Sequence, residues 1–481
     1  MAASILLAIV LVYLGFVPLG QWQSDEYEYF GKLNLGVGSA VLNRLWWSPR
    51  PASEFVYGIY GLLANHFQRP LTGLFLACPW LGFMVCACGT SMWSSGTGRP
   101  RLPGLLIGLG LATAFLTSDP LFQVFYWPAG AVAYLPTLSA TLLLFLQVMS
   151  GALATSRGRW LCGACLMVAA LSTEIGAILA VCFGALQAAA ILPSRHKEKT
   201  DLPSTVVWWL LPATLGVAVL WWAAVHRLPV PGSGLSLGMG NEGGPVLRLI
   251  GAGRELLFEL LGFSPTAKHS LSAIPALLSR LLIAVSVARL WSSCNGAANP
   301  EKPRPQRGMI LLAAAFLAAC FCILFATYPE FALAGSERYE TVRRCWILMA
   351  FAGLAVAAFQ TERGHRMLVR LRQSNLAPVL LVIGVLLPWH VSPLLREYRV
   401  YASVLRATGE GFRSGYRPNA QQMTFIIPPN RGVITPQMLS PGTYTRTSPP
   451  TENDYARNML QYFRKEVLVV QNGESSRERA R

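Results

Sequence analysis

Eleven apolar stretches, each close to the length of a bilayer crossing, constrain this chain more than anything else in it. A spanning helix needs about 20 mostly apolar residues, because a rise of about 1.5 Å per residue must cover about 30 Å of hydrocarbon. The stretches fall at 2–20, 71–91, 102–118, 128–149, 160–173, 175–192, 205–225, 271–292, 309–328, 344–360 and 376–393. Composition agrees: of 481 residues, 53% are hydrophobic and 13% charged, where a soluble domain carries about 25% charged residues. The net charge of +17 does not argue for nucleic acid, because Lys and Arg collect in short segments between the apolar stretches, as the positive-inside rule requires. The expectation is an all-α polytopic protein of about 11 transmembrane helices. The first stretch lacks a basic segment before it and reads as a retained span rather than a signal peptide.

Residues 160–192 are long for one span and short for two. Charge decides. Arg157 and Arg159 precede the stretch, and Arg195, Lys197 and Lys199 follow it. Both flanks read as cytoplasmic, so the chain crosses twice and Ser172, Thr173 and Glu174 form the far turn. The opposite side then holds 21–70, 119–127, 226–270, 329–343 and the tail from 394. This divides the chain into a transmembrane domain at 1–393, with its first outer loop at 21–70, and an extracytoplasmic tail or small cap at 394–481. Within the loop, Val41 to Trp47 ends in paired tryptophans, which suit a helix lying in the interface. In the tail, Thr424 to Ile427 and Val467 to Val470 read as strands and Tyr455 to Lys465 as a helix, a small α/β segment.

Directly after the first span stands Ser24-Asp25-Glu26-Tyr27-Glu28-Tyr29. Three carboxylates within four residues at a membrane surface suit a general base, or ligands for a hard cation. They equally suit the first turn of a capped helix, whose dipole favours acids. The residues leave these readings open. Next comes Trp46-Trp47-Ser48-Pro49-Arg50-Pro51-Ala52-Ser53-Glu54, where two prolines hold Arg50 extended. A guanidinium placed so suits a phosphate or an interfacial anchor. Trp127 and Tyr134 suit a sugar face or an aromatic belt. Glu174 is an acid beside apolar stretches, a costly placement. In Ser336-Glu337-Arg338-Tyr339-Glu340, Arg338 offers a second phosphate contact or a snorkelling anchor.

Cys162 and Cys165 form a CxxC that reads as small residues on a packing face. Four histidines, His66, His226, His269 and His390, lie near outer boundaries without ligand spacing. No P-loop and no HExxH is present, and no GxGxxG follows a strand. An enzyme of this layout therefore needs an activated substrate that requires no nucleotide-binding fold, and a lipid-linked phosphosugar meets that condition.

The layout resembles the GT-C superfamily of membrane glycosyltransferases, and within it a bacterial branch related to O-antigen glucosyltransferases. The likeness is carried by Asp25-Glu26-Tyr27, Ser48-Pro49-Arg50-Pro51, Tyr126-Trp127-Pro128 with Tyr134, Ser172-Thr173-Glu174, and Asn458 to Phe463. It implies inverting transfer of a sugar from a polyprenyl-phosphate donor to a glycan, lipid or protein acceptor, at the periplasmic or outer face of the inner (plasma) membrane. It implies Asp25 as base with Glu26 assisting, and Arg50 and Arg338 on the donor phosphate. Glu28, Glu54, Trp127, Tyr134 and Glu174 would line the sugar and acceptor sites. No cofactor is required, and a divalent cation is compatible. The competing reading is a transporter or flippase of a polar or lipid-linked solute, which predicts charged or broken helices at mid-bilayer. A third is a non-catalytic assembly or export subunit.

Overall fold

The computed structural model describes residues 1–48, 50–93, 102–117, 121–191, 202–226, 245–263, 273–295, 306–331, 337–361, 376–427, 434, 439–447 and 454–472. Pro49, Arg195, Lys197, Lys199, His269 and Ser336 lie outside the described residues, as do the side chains of Trp47 and Glu337. In chain order the helices are α1 (Ala2–Gly15), α2 (Ser24–Leu33), α3 (Val37–Trp47), α4 (Pro51–Phe67), α5 (Thr72–Trp93), α6 (Leu102–Leu116), α7 (Pro128–Met149), α8 (Ser156–Ser172) and α9 (Glu174–Ile191). They continue as α10 (Leu202–His226), α11 (Pro245–Leu260), α12 (Ala273–Asn295), α13 (Gln306–Phe331), α14 (Glu337–Phe359), α15 (Ala377–Leu386) and α16 (Val391–Gly415). The chain closes with β1 (Gln422–Ile427), β2 (Gly442–Thr445), α17 (Asp454–Phe463) and β3 (Val467–Asn472).

The protein is a multi-pass membrane protein. Among the described residues, eight helices are long and apolar enough to cross a bilayer: Ala2–Leu19, Thr72–Gly89, Pro128–Met149, Glu174–Ile191, Val206–His226, Ala273–Ser293, Arg307–Thr327 and Arg338–Phe359. A ninth exists if α15 and α16 count as one bent span. Eight or nine candidate spans among the described residues stand beside the eleven expected stretches, each of which contains a helix. At 15 residues, α6 is about 22 Å long, short of the hydrocarbon thickness. At 17 residues, α8 spends its first turn on Arg157 and Arg159. The stretch 376–393 breaks after Leu386, before Pro388, which cannot donate to a continuing helix.

The chain forms two compact units. The first comprises Met1–Val12, Leu81–Asp119 and Pro136–Trp389. Here α10 packs against α8 and α9, α14 against α12 and α13, and α12 against α6 and α15. Lipid supplies no hydrophobic drive between helices, so close approach over small residues matters. A Cβ on Gly163 would meet the Trp208 carbonyl at 2.5 Å, and one on Gly216 the Ala177 carbonyl at 2.8 Å. The expected hairpin is present: the helix breaks at Thr173, whose Oγ1 accepts from the Gly176 amide at 3.0 Å and caps α9. Thr173 Oγ1 also meets Thr137 Oγ1 at 2.9 Å. Cys162 and Cys165 are buried and unbridged, as packing residues would be.

The second unit comprises Tyr13–Trp80, Pro120–Leu135 and His390–Arg481. The first outer loop thus shares one core with the tail. Trp22 lies edge-on to Phe30 and to Phe412, both at 4.9 Å between centroids, and to Tyr462 at 5.6 Å. Polar tips tie the same segments: Tyr455 Oη donates to the Trp22 carbonyl at 2.8 Å, and Tyr462 Oη to Asn65 Oδ1 at 2.7 Å. The sheet runs β1-β3-β2, with β1 parallel and β2 antiparallel to β3. The parallel pair needs a long connection, and α17 lies in it. Both expected strands and the expected helix of the tail are present. The sequence reading lacked β2 and the 25-residue α16.

Candidate functional site around Asp25 and Arg44

Seven of the nine expected site residues fall in the second unit: Asp25, Glu26, Glu28, Arg50, Glu54, Trp127 and Tyr134. Glu174 and Arg338 belong to the first.

The helix α2 starts where it does because Gln23 and Glu26 form a reciprocal capping box. Glu26 Oε2 accepts from the Gln23 amide at 2.7 Å and from Trp127 Nε1 at 2.9 Å. Its Oε1 accepts from the Ala129 amide at 3.0 Å, an otherwise orphaned donor in the first turn of α7. One fully buried carboxylate therefore fixes two helix starts. Burial pushes the Glu26 carboxyl up to about 7, the neighbouring Asp25 adds to the rise, and the Trp127, Gln23 and Ala129 donors oppose it. Both carboxylate oxygens of Glu26 are thus engaged by the chain's own donors.

Asp25 points elsewhere. Its side chain is 42% exposed, and Oδ2 lies 3.9 Å from Arg44 Nη2. It lines a polar pocket of about 480 Å³ with Ser24, Glu28, Lys32, Asp454, Arg457, Asn458 and Gln461. Several walls are paired: Glu28 with Lys32 at 2.6 Å, Asp454 with Arg457 at 2.6 Å, and Asn458 Nδ2 donating to Ser24 Oγ at 2.7 Å. The three carboxylates of the sequence cluster thus diverge, Glu26 inward, Glu28 to Lys32 and Asp25 toward Arg44. Among the described residues no group of three His, Cys, Asp or Glu could hold a metal ion.

Arg44 is the functional candidate that the sequence reading missed. Its Nε donates to the buried Glu54 Oε2 at 3.0 Å. The guanidinium lies over the Tyr29 and Tyr57 rings, 5.4 and 5.7 Å from their centroids. Those rings stack at 5.4 Å, and both hydroxyls are buried without a hydrogen-bond partner. Leaving such a group unsatisfied costs about 1–3 kcal/mol, so polarity is concentrated here at a cost to stability. The available signal was a lone arginine within Val41 to Trp47, in a segment that also carries Asp25, Glu26, Glu28 and Glu54.

Arg50 stands at the N-cap position of α4 without a side-chain capping hydrogen bond, and Pro51 is the first helical residue. It is nearly buried, with Nη2 3.4 Å from Tyr134 Oη and the guanidinium 5.6 Å from the ring centroid. Ser53 Oγ donates to the Val132 carbonyl at 3.2 Å, tying α4 to the same turn of α7. In the first unit, Glu174 is the first residue of α9 and nearly buried, where an acid suits the helix dipole. Arg338 is half-buried, its guanidinium 5.5 Å from the Tyr339 centroid. Comparison with protein-family models, with curated proteins and with solved structures gives no match for this chain. What stands is a polytopic helical membrane protein that carries a small sheet and a carboxylate–guanidinium cluster after its first span.

Proposed function

We propose that the protein is a glycosyltransferase that moves a sugar from a polyprenyl-phosphate carrier to a cell-envelope acceptor, with inversion, at the extracytoplasmic surface. The observation that carries the reading is the placement of Asp25. It is a half-exposed carboxylate directly after a membrane span, beside a cation and open to a polar pocket. In this scheme an acceptor hydroxyl attacks the anomeric carbon while Asp25 takes its proton. The bond to the carrier phosphate breaks, and the phosphate leaves with the electron pair. A phosphate is a stable leaving anion, so its charge needs stabilising more than it needs a proton. Arg50, held by Tyr134, serves that role. Trp127, Tyr134, Glu28 and Glu54 are assigned to sugar or acceptor contacts. Glu26 acts through the helix starts it fixes.

The test uses the purified full chain in lipid vesicles with a panel of polyprenyl-phosphate sugars, reading sugar release or transfer by mass spectrometry. Loss of turnover in Asp25→Asn, with donor binding and folding retained, supports the assignment. A folded protein that neither binds nor turns over any donor removes it.

One observation favours a carrier instead. Arg280 and Arg343 lie within spans, and Arg343 pairs with the buried Glu259 through Nε at 3.0–3.1 Å. Arg280 donates to the Glu259 and Leu260 carbonyls that end α11. Buried intramembrane charge often marks a transport pathway. Solute uptake by sealed vesicles that is lost in Glu259→Gln and kept in Asp25→Asn would favour the carrier.

A further inference from the structure

Helix α16 carries three distinct faces. Leu394, Glu397, Val404, Ala407, Gly411 and Phe412 are buried. Val391, Leu395, Tyr398, Ala402 and Leu405, at alternating steps of four and three, form a second row that is exposed. Tyr398 is 72% exposed and Leu395 51%. Arg396, Arg399, Arg406 and Arg413 form a third row, also exposed and adjacent to the apolar one. An exposed apolar stripe flanked by arginines does not suit open water, and it is the pattern of a helix lying in a membrane interface.

The helix is held so that these faces cannot rotate. A Cβ on Gly411 would meet the Phe425 ring at 2.6 Å, and Gly415 lies equally tight on Phe463. Glu397 Oε1 accepts from the Ile434 amide at 2.8 Å. Tyr401, at mid-helix, contacts Phe16 with centroids 6.3 Å apart, and Phe16 belongs to the last turn of the first span, Ala2–Leu19. The chain also enters α16 only four residues after the apolar α15 ends.

We propose that α16 lies at the membrane surface on anionic phospholipid. Val391, Leu395, Tyr398 and Leu405 enter the boundary between headgroups and acyl chains, and Arg396, Arg399 and Arg406 hold lipid phosphates. The face accounts for both kinds of exposed residue, whereas a second protein copy would have to answer an apolar stripe and an arginine row together. The proposal does not depend on the glycosyltransferase reading.

The experiment places a photoreactive benzoylphenylalanine at Leu395 or Tyr398 of the full chain. Vesicles are phosphatidylcholine with or without phosphatidylglycerol, and adducts are read by mass spectrometry. Position Leu11, exposed on the first span, is the lipid-facing control. The expected result is lipid adducts at Leu395 and Tyr398, with phosphatidylglycerol enriched over its share of the vesicle. The triple variant R396Q/R399Q/R406Q should reduce that enrichment by about five-fold or more, since each surface arginine attracts anionic lipid appreciably. Adducts between two protein copies, or none at Leu395 and Tyr398 while Leu11 labels lipid, would overturn the proposal. Lipid adducts without phosphatidylglycerol enrichment would overturn its electrostatic half.

Discussion

Replacing Glu26 with Gln should change how stability depends on pH, in a direction fixed by the site's geometry. The carboxyl is raised from its ordinary 4.5 to about 7, chiefly by burial. Below pH 4.5 it is protonated whether the chain is folded or not. Above about 7 it is ionised in both states, and the folded protein bears the cost of a buried charge. The stability it contributes is therefore present at low pH and lost as pH rises through about 7. The rise is worth about 3 kcal/mol by linkage. Gln carries no charge, so its stability lacks this dependence. It also turns an amide nitrogen toward one of the three donors, a constant loss of about 1–3 kcal/mol. The gap between wild type and Glu26→Gln should therefore be largest near pH 4.5 and shrink by about 3 kcal/mol by pH 8. Thermal unfolding followed by tryptophan fluorescence at a fixed scan rate would register this as a shift of a few degrees in the apparent midpoint. A gap that stays constant, or widens with pH, would refute the reasoning. The three donors, rather than burial, would then govern the carboxyl.

Other perturbations follow from the same contacts. Arg44→Met leaves the buried Glu54 without its 3.0 Å partner and should cost about 3–5 kcal/mol, with part recovered in Arg44→Met/Glu54→Gln, measured by thermal unfolding. Glu259→Gln alone should be similarly costly, while a hydrophobic double replacement of Glu259 and Arg343 should restore most of the loss; a double-mutant cycle reads the difference. Trp127→Phe removes one donor to Glu26 and should cost about 1–2 kcal/mol, with a larger pH dependence than wild type because an opposing hydrogen bond is gone. Gly411→Ala forces the Phe425 ring to move and should destabilise the second unit by about 1–3 kcal/mol, seen as faster proteolysis of the tail.

Much of the helical unit was legible because span length and charge flanks are one-dimensional properties. The hairpin at Thr173 could be read from the arginines and lysines on either side of it. Fewer stretches qualify as spans among the described residues than apolarity alone suggests, because apolarity marks a stretch but does not say where its helix stops. The strands of the tail showed in their β-branched runs, while β2, Gly442–Thr445, is too short and polar to show any pattern. In α16 the amphipathic period was present, but the apolar start of the helix merged with the preceding stretch.

The sequence by itself determined that the chain is a multi-pass membrane protein and that acids gather after its first span, because hydropathy and charge spacing are carried residue by residue. Only the tertiary structure decided which of those acids is available. Asp25 and Glu26 are adjacent in the chain, yet a helical step of about 100° sends one to the pocket and Arg44. It sends the other to donors at Trp127 and Ala129. Likewise, nothing in the order of residues joins Trp22 to Phe412 and Tyr462. Their packing joins the first outer loop to the tail, because a small apolar core is buried only when distant segments close over it.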